Sequence, residues 1–275
     1  MRAFFKIIVR LILLAIAVLL IVFFSRSPRN DREWMPDFAT LPEITIEGDQ
    51  LSIRHIRNSR YDAEARATVA HYDRTFDLNR LESVWFVLSP FREDWRGPAH
   101  SFLSFGFADS SYLAVSVEAR KEIGESYTVW KGLYRNFELI YVIGDERDLI
   151  PLRTNIWKDD VFVYPAKTNP EKTRELLLDV LARTIELQEK PEFYNTLTQN
   201  CTSALGEHVN RIAPGKVPNS WKLIITGYSD ELALDAGLID WDGDIESARE
   251  RFRVNEKAML YADDPRFSTL IRESD

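Results

Sequence analysis

Residues 7–24 read IIVRLILLAIAVLLIVFF, an apolar run interrupted only by Arg10. As a helix, this stretch rises roughly 27 Å, close to the hydrocarbon thickness of a bilayer. Beyond it the pattern changes to short alternating segments. Ile44-Thr45-Ile46 and Leu51-Ser52-Ile53 flank the turn Glu47-Gly48-Asp49, and Val84 to Leu88 forms a stronger strand pattern ended by Pro90. His100 to Phe107 alternates, with Leu103, Phe105 and Phe107 on one face. Ala108-Asp109-Ser110 reads as a turn, and the alternation resumes from Ser111 to Ala119. Phe137 to Ile143 and Val161 to Tyr164 are further strand patterns. Then the period lengthens. Asn169-Pro170 marks an N-cap and first helical position, followed by Leu176, Leu177, Val180, Leu181, Thr184 and Ile185, and Pro191 stops the helix. A second helix begins at Asn200 or Cys201, with Ala204, Leu205, His208, Val209 and Ile212 inward. Helices after Asp230 and across Asp244 to Tyr261 close the chain. Strands first, then helices, predict an α+β fold in which an antiparallel sheet packs against helices.

Organisation follows from the same pattern. Residues 1–25 read as a membrane anchor or signal sequence, 26–40 as a polar linker with two prolines, 41–225 as the folded domain, and 226–275 as a C-terminal helical extension. After the apolar run come Phe23, Phe24, Ser25 and Arg26, a poor signal-peptide cleavage site, which favours an uncleaved anchor over a cleaved leader. Arg2, Lys6 and Arg10 favour an inside N-terminus, although Arg26 and Arg29 flank the far end. The body then lies in a bacterial periplasm, held by a single pass through the inner membrane. Net charge is −8; the three N-terminal cations leave −11 on the remainder, which argues against broad nucleic-acid binding. One cysteine excludes an intrachain disulfide and a cysteine-rich zinc site, and no HExxH spacing occurs, so no metal is expected.

The lone thiol, Cys201, falls at a helix start. There, unpaired backbone N–H groups and the positive dipole end stabilise a thiolate and could receive an oxyanion. A lone cysteine is also commonly a small buried hydrophobe. Of four histidines, His208 sits two turns along the same helix, roughly 10 Å away, and His55 and His71 lie in polar surroundings. His100 begins a strand, on the face opposite Leu103 and Phe105. A three-residue loop at Ala108-Asp109-Ser110 puts Phe107 opposite Ser111 and, counting back, His100 opposite Glu118. A two-residue loop would put Ala119 there instead. Glu118 could orient the imidazole, or form a surface pair with Arg120 or Lys121. Arg92, Trp95 and Arg96 precede His100 and could meet an acyl chain or headgroup. Arg120, Arg135 and Arg153 could bind phosphate or carboxylate, or pair with acidic neighbours. Tyr194 and Asn195 either shape the approach to Cys201 or cap the preceding turn.

The stretches Ala99-His100-Ser101-Phe102-Leu103-Ser104-Phe105, Ser116-Val117-Glu118-Ala119-Arg120, Phe193-Tyr194-Asn195 and Asn200-Cys201-Thr202 resemble the Lnb N-terminal periplasmic domain family, over about residues 30–210. The order His, polar residue, Cys also resembles circularly permuted NlpC-type papain-like enzymes. This resemblance implies Cys201 as nucleophile, His100 as base, Glu118 as orienting residue and a thioester intermediate without a cofactor. Arg96, Trp95, Arg120, Tyr194, Asn195 and Asn200 are the candidate substrate contacts. The expected activity is acyl transfer or hydrolysis at the membrane lipid bilayer, on lipoprotein or phospholipid. A cell-wall amidase or peptidase of the same fold, and a non-catalytic envelope binding module, are the alternatives.

Overall fold

The computed structural model describes residues 2–91 and 96–273. The apolar run is a single exposed helix, α1 (Arg2–Ser25). The main sheet is built from β1 (Glu43–Glu47), β2 (Gln50–Arg57), β5 (His71–Asp77), β6 (Leu81–Pro90), β7 (Ala99–Phe107), β8 (Tyr112–Arg120), β9 (Glu138–Gly144) and β10 (Phe162–Pro165). Their spatial order is β1-β2-β9-β8-β7-β6-β10, with β5 also on β2. A separate small ribbon joins β3 (Arg60–Tyr61) and β4 (Ala67–Thr68). All main-sheet pairs are antiparallel except one bridge, where Arg57 of β2 meets Gly144 of β9 in parallel.

The β7–β8 hairpin sets the register that matters. Ser110 adopts the left-handed conformation (φ 61°) and closes a three-residue loop, with Phe107 N–H donating to Ser111 O at 2.9 Å. Asp109 accepts from the Ser111 backbone and hydroxyl. Pairs from Phe102 with Ser116 to Gly106 with Tyr112 follow, the register that the three-residue loop requires, and just past its end the side chains of His100 and Glu118 meet.

Helices cover both faces. On one, α5 (Pro170–Glu189) and α6 (Cys201–Ile212) bury Leu177, Val180, Leu181 and Leu205 against Phe105, Val115, Val117 and Leu139. Asn169 caps α5 through Lys172 N–H, with Pro170 at its first position. The other face receives α4 (Glu146–Pro151), which runs on as a π-helical turn (Leu152–Trp157), together with later helices. Short α2 (Pro36–Ala39) and α3 (Val129–Leu133) lie at the strand ends near β9.

Two segments pack more tightly than their composition suggests. Residues 26–40 do not leave as a free linker. Trp34 and Phe38 are buried with Ile140 and Val142, and Arg120 lies over the Trp34 ring while donating to Asn30 Oδ1, Phe38 O and Ala39 O. Nor do residues 226–273 form an appendage. They fold as α7 (Ser229–Asp235), α8 (Ile245–Phe252), α9 (Asn255–Leu260) and α10 (Phe267–Leu270), and Val254, Ala258, Phe267 and Ile271 bury Val87, Phe102 and Ala114 of the sheet. Polar sequence hid both, because their partners lie far along the chain.

Candidate active site

His100 is the second residue of β7 and shares its face with Phe102 and Arg153. Cys201 comes from the opposite layer. It is the first residue of α6, so it reaches the end of β7, where its Sγ lies 3.8 Å from the Ala99 carbonyl. Asn200 sets that helix start: it accepts from Ser203 N–H at 2.9 Å, while Ser203 Oγ accepts from Asn200 N–H in return. Its amide also donates to Thr196 O and Leu223 O, both at 3.0 Å. The chain on both sides of the thiol is thereby fixed.

The hydrogen-bond order assigns the histidine nitrogens. Ser116 hydroxyl donates to Glu118 Oε1 at 2.8 Å, so its oxygen is free to accept from His100 Nε2–H at 2.7 Å. The same Nε2 lies 3.2 Å from Glu118 Oε1. Nδ1 is the ring atom left for the thiol. Arg153 closes the chain from the π-helical turn, with Nη2 3.3 Å from Glu118 Oε1.

The electrostatics form a buried ion pair. Burial opposes the charged imidazole, but the Glu118 charge overcomes it and pushes His100 up to about 9, with Arg153 pulling the other way. Burial likewise opposes a thiolate, yet the hydrogen bond and charge of His100, helped by Ser101, hold Cys201 below the usual thiol value. Burial would raise Glu118, but His100, Arg153 and Ser116 keep its carboxyl well below the usual carboxylate range. At neutral pH the site therefore holds an imidazolium against a carboxylate, and that pair favours the thiolate form of Cys201. Among α6 first-turn amides, those of Ser203 and Ala204 are taken by Asn200, leaving the N–H groups of Cys201 and Thr202 to meet an oxyanion.

These groups open into a cavity of about 350 Å³. Tyr127, Tyr194, Trp157, Asp159 and Ile224 line it beside Cys201, His100 and Glu118. A larger apolar cavity of about 470 Å³ lies behind, between α5, α6 and α7, and contains no titratable pair suited to catalysis. No group of His, Cys, Asp and Glu suited to a metal ion occurs among the described residues.

A family comparison bears on this arrangement. The model of the Lnb N-terminal periplasmic domain matches residues 68–227, more than half of the chain. The chain belongs to that family. The matched stretch carries His100, Glu118, Arg153 and Cys201, and ends one residue after Thr226, which also lines the cavity. Comparisons with curated proteins and with solved structures give no match. Membership and the single apolar helix α1 describe a periplasmic domain carrying a candidate membrane anchor.

Other residues expected at the site divide. Tyr194 faces the cavity, its hydroxyl pushed well above the usual value by burial and by Cys201. Asn200 lines the cavity but spends its side chain on capping. Three are elsewhere. Arg96 pairs with Asp230 and Glu231 and donates to Gly227 O, tying the β7 approach to α7. Arg120 is consumed by the strap described above, and Asn195 accepts from Leu197 and Thr198 N–H in a local turn. Trp95 and Arg92 lie outside the described residues. His208 forms its own buried cluster with Tyr141 and Asp179.

Sequence reasoning missed Ser116, Asp159 and Thr226, and left Arg153 open between a ligand and an acidic neighbour, which the structure identifies as Glu118. Asp159 sits over Ser89, the strand partner of His100, and burial pushes it up to about 6. Thr226 hydroxyl donates to Ala99 O and accepts from Ala99 N–H, holding the strand end beneath the thiol. Only Ser116 carried a signal, since it shares with Glu118 the face of β8 that meets His100.

Proposed function

We propose that this chain is a cysteine acyltransferase or acyl hydrolase, held by one pass in the bacterial inner membrane and acting in the periplasm. The observation that carries the reading is the buried Cys201 at the start of α6 beside His100, whose ring is held through Nε2 by Ser116 and Glu118 and lowers the thiol pKa. A solely structural cysteine has no use for such an arrangement, which lowers a thiol and orients its base. The chain order His100, Glu118, Cys201 supports a permuted NlpC-type papain-like arrangement.

Cys201 thiolate attacks the substrate acyl carbon, forming a C–S bond and an oxyanion that meets the Cys201 and Thr202 N–H groups. Collapse breaks the bond to the leaving oxygen or nitrogen, which takes the proton from His100 Nδ1. The thioester remains on Cys201. An acceptor amine or water gives a proton to Nδ1, attacks the thioester carbonyl and releases the thiolate. Glu118 stays ionised throughout and holds the ring. The anchor and family support an envelope lipid or lipoprotein as substrate.

Incubation with envelope phospholipids, followed by intact-mass analysis, tests this. An acyl increment on Cys201 that vanishes in His100→Ala and under hydroxylamine is expected. Turnover without any Cys201 adduct, or turnover retained in Cys201→Ala, overturns the reading. Cleavage of muropeptides but not of lipid would turn it toward a cell-wall amidase.

A further inference from the structure

The mouth of the catalytic cavity carries an unusual amount of exposed apolar surface. Phe91, Val129, Trp157 and Ile224 line the cavity and are 41%, 40%, 45% and 47% exposed. Next to them, Trp130 is 70% and Leu197 47% exposed. Soluble surfaces seldom gather large apolar side chains around one opening. These come from five separate chain segments, so one stray loop does not explain them.

The anchor leaves at the same place. Arg26, immediately after α1, donates to Asn136 Oδ1 at 2.9 Å and toward the carbonyls of Tyr134 and Arg135. Arg135 in turn lies over the rings of Phe23, Phe24 and Phe193. Residues 134–136 follow directly on α3, which carries Val129 and Trp130. Five helical residues rise roughly 7.5 Å, so the cavity mouth stands within about one headgroup layer of the point where α1 ends. Thr196 hydroxyl donates to Val129 O at 3.0 Å and keeps Leu197 beside α3.

Strand direction agrees. His100 lies near the start of β7, Glu118 near the end of β8 and Glu138 opens β9, so all three lie at one end of the sheet. Arg29 N–H donates to Glu138 Oε1 there, at 3.1 Å. The Ala108–Ser110 hairpin tip is at the other end, roughly 27 Å away along β7.

We propose that the rim formed by Phe91, Val129, Trp130, Trp157, Leu197 and Ile224 is a bilayer-docking surface that seats the mouth of the Cys201 cavity in the interfacial layer. The partner is the phospholipid surface of the membrane that holds α1. Tryptophan and aliphatic side chains suit the boundary between headgroups and acyl chains, and Arg26 suits the phosphate level. An acyl group then enters the cavity sideways from the bilayer without crossing water. The proposal rests on the anchor reading of α1, not on the thiol chemistry.

The test uses the full chain in vesicles of phosphatidylethanolamine and phosphatidylglycerol. In a Cys201→Ser background, which removes the native thiol, single nitroxide labels are placed through Trp130→Cys, Leu197→Cys, Ile224→Cys and, at the hairpin tip, Ala108→Cys. Labels at 130, 197 and 224 should gain collisions with oxygen and lose most collisions with a water-soluble nickel chelate, while the label at 108 keeps its aqueous pattern. Equal aqueous accessibility at all four positions overturns the proposal. This readout needs no turnover, so it stands or falls separately from the acyl-transfer reading.

Discussion

Arg153 donates to the same oxygen of Glu118 that faces His100, at 3.3 Å, so the orienting carboxylate is itself held from behind by a buried cation. Arg153→Met removes that hold. Turnover should fall about tenfold or more through kcat, with KM little changed, because orientation and not substrate binding is lost. Arg153 also opposes the His100 charge, so its removal raises the histidine pKa and moves the alkaline limb of the pH profile upward. A variant whose KM alone rises would reveal an anion clamp instead. A melting curve separates both outcomes from loss of fold, since Arg153 also donates to Leu149 O.

The ion pair predicts a bell-shaped pH–rate profile. Turnover needs the thiolate, which appears above the lowered Cys201 pKa, and the imidazolium proton, which is lost through about 9. Alkylation by iodoacetamide needs only the thiolate, so it should rise at lower pH than for a free thiol and persist above 9 where turnover fails. In His100→Ala the alkylation limb should move toward the value of a free thiol. An unmoved limb would mean that the histidine does not govern the sulfur.

The same shifts predict stability against pH. The folded His100 pKa stands above its ordinary 6.5, so its contribution is complete below about 6.5 and is lost as pH climbs through about 9. Glu118 has the opposite sign: its lowered pKa stabilises the fold above about 4.5, and that stabilisation drains away at lower pH. Urea midpoints should therefore fall on both sides of neutrality. In Glu118→Gln the alkaline decline should shift to lower pH, because the main support of the imidazolium is gone.

Asn200→Ala should cost about 1–2 kcal/mol from the lost cap, and more from leaving the Thr196 and Leu223 carbonyls unpaired. Asn200→Asp keeps the cap acceptor but brings a negative charge beside the sulfur. It should retain most stability while slowing iodoacetamide labelling at neutral pH. Equal labelling in both variants would show that Asn200 does not position the thiol.

Arg120 separates a strap from a ligand site. Arg120→Met should lower stability by about 3 kcal/mol, read by urea unfolding, since a buried cation leaves three oxygen partners behind. Iodoacetamide labelling of Cys201 should be unchanged. Slower labelling at unchanged stability would restore the residue to the site.

The meeting of His100, Glu118 and Cys201 was legible because each sat on a local rule. Alternation placed His100 and Glu118 on one face, the length of the Ala108–Ser110 loop fixed their register, and the cap at Asn200 put Cys201 at a helix start. Arg120 and Arg96 misled because an arginine reads the same whether it meets a ligand or a backbone carbonyl 80 to 130 residues away. The strap at Trp34 and Phe38 was hidden by polar neighbours. Arg153 lies in, and Asp159 just after, a π-helical turn whose irregular period no alternation announces, and Thr226 falls on the far side of a boundary drawn where helices begin.

The strap has one more consequence. With Trp34, Phe38 and Arg120 locked together a few residues beyond α1, the domain has no slack leash. An enzyme on a long flexible tether sweeps a hemisphere and finds cargo throughout the compartment. On the anchor and thiol readings proposed above, the Cys201 sulfur would keep a set altitude above its own membrane, and cargo would have to be delivered to that height.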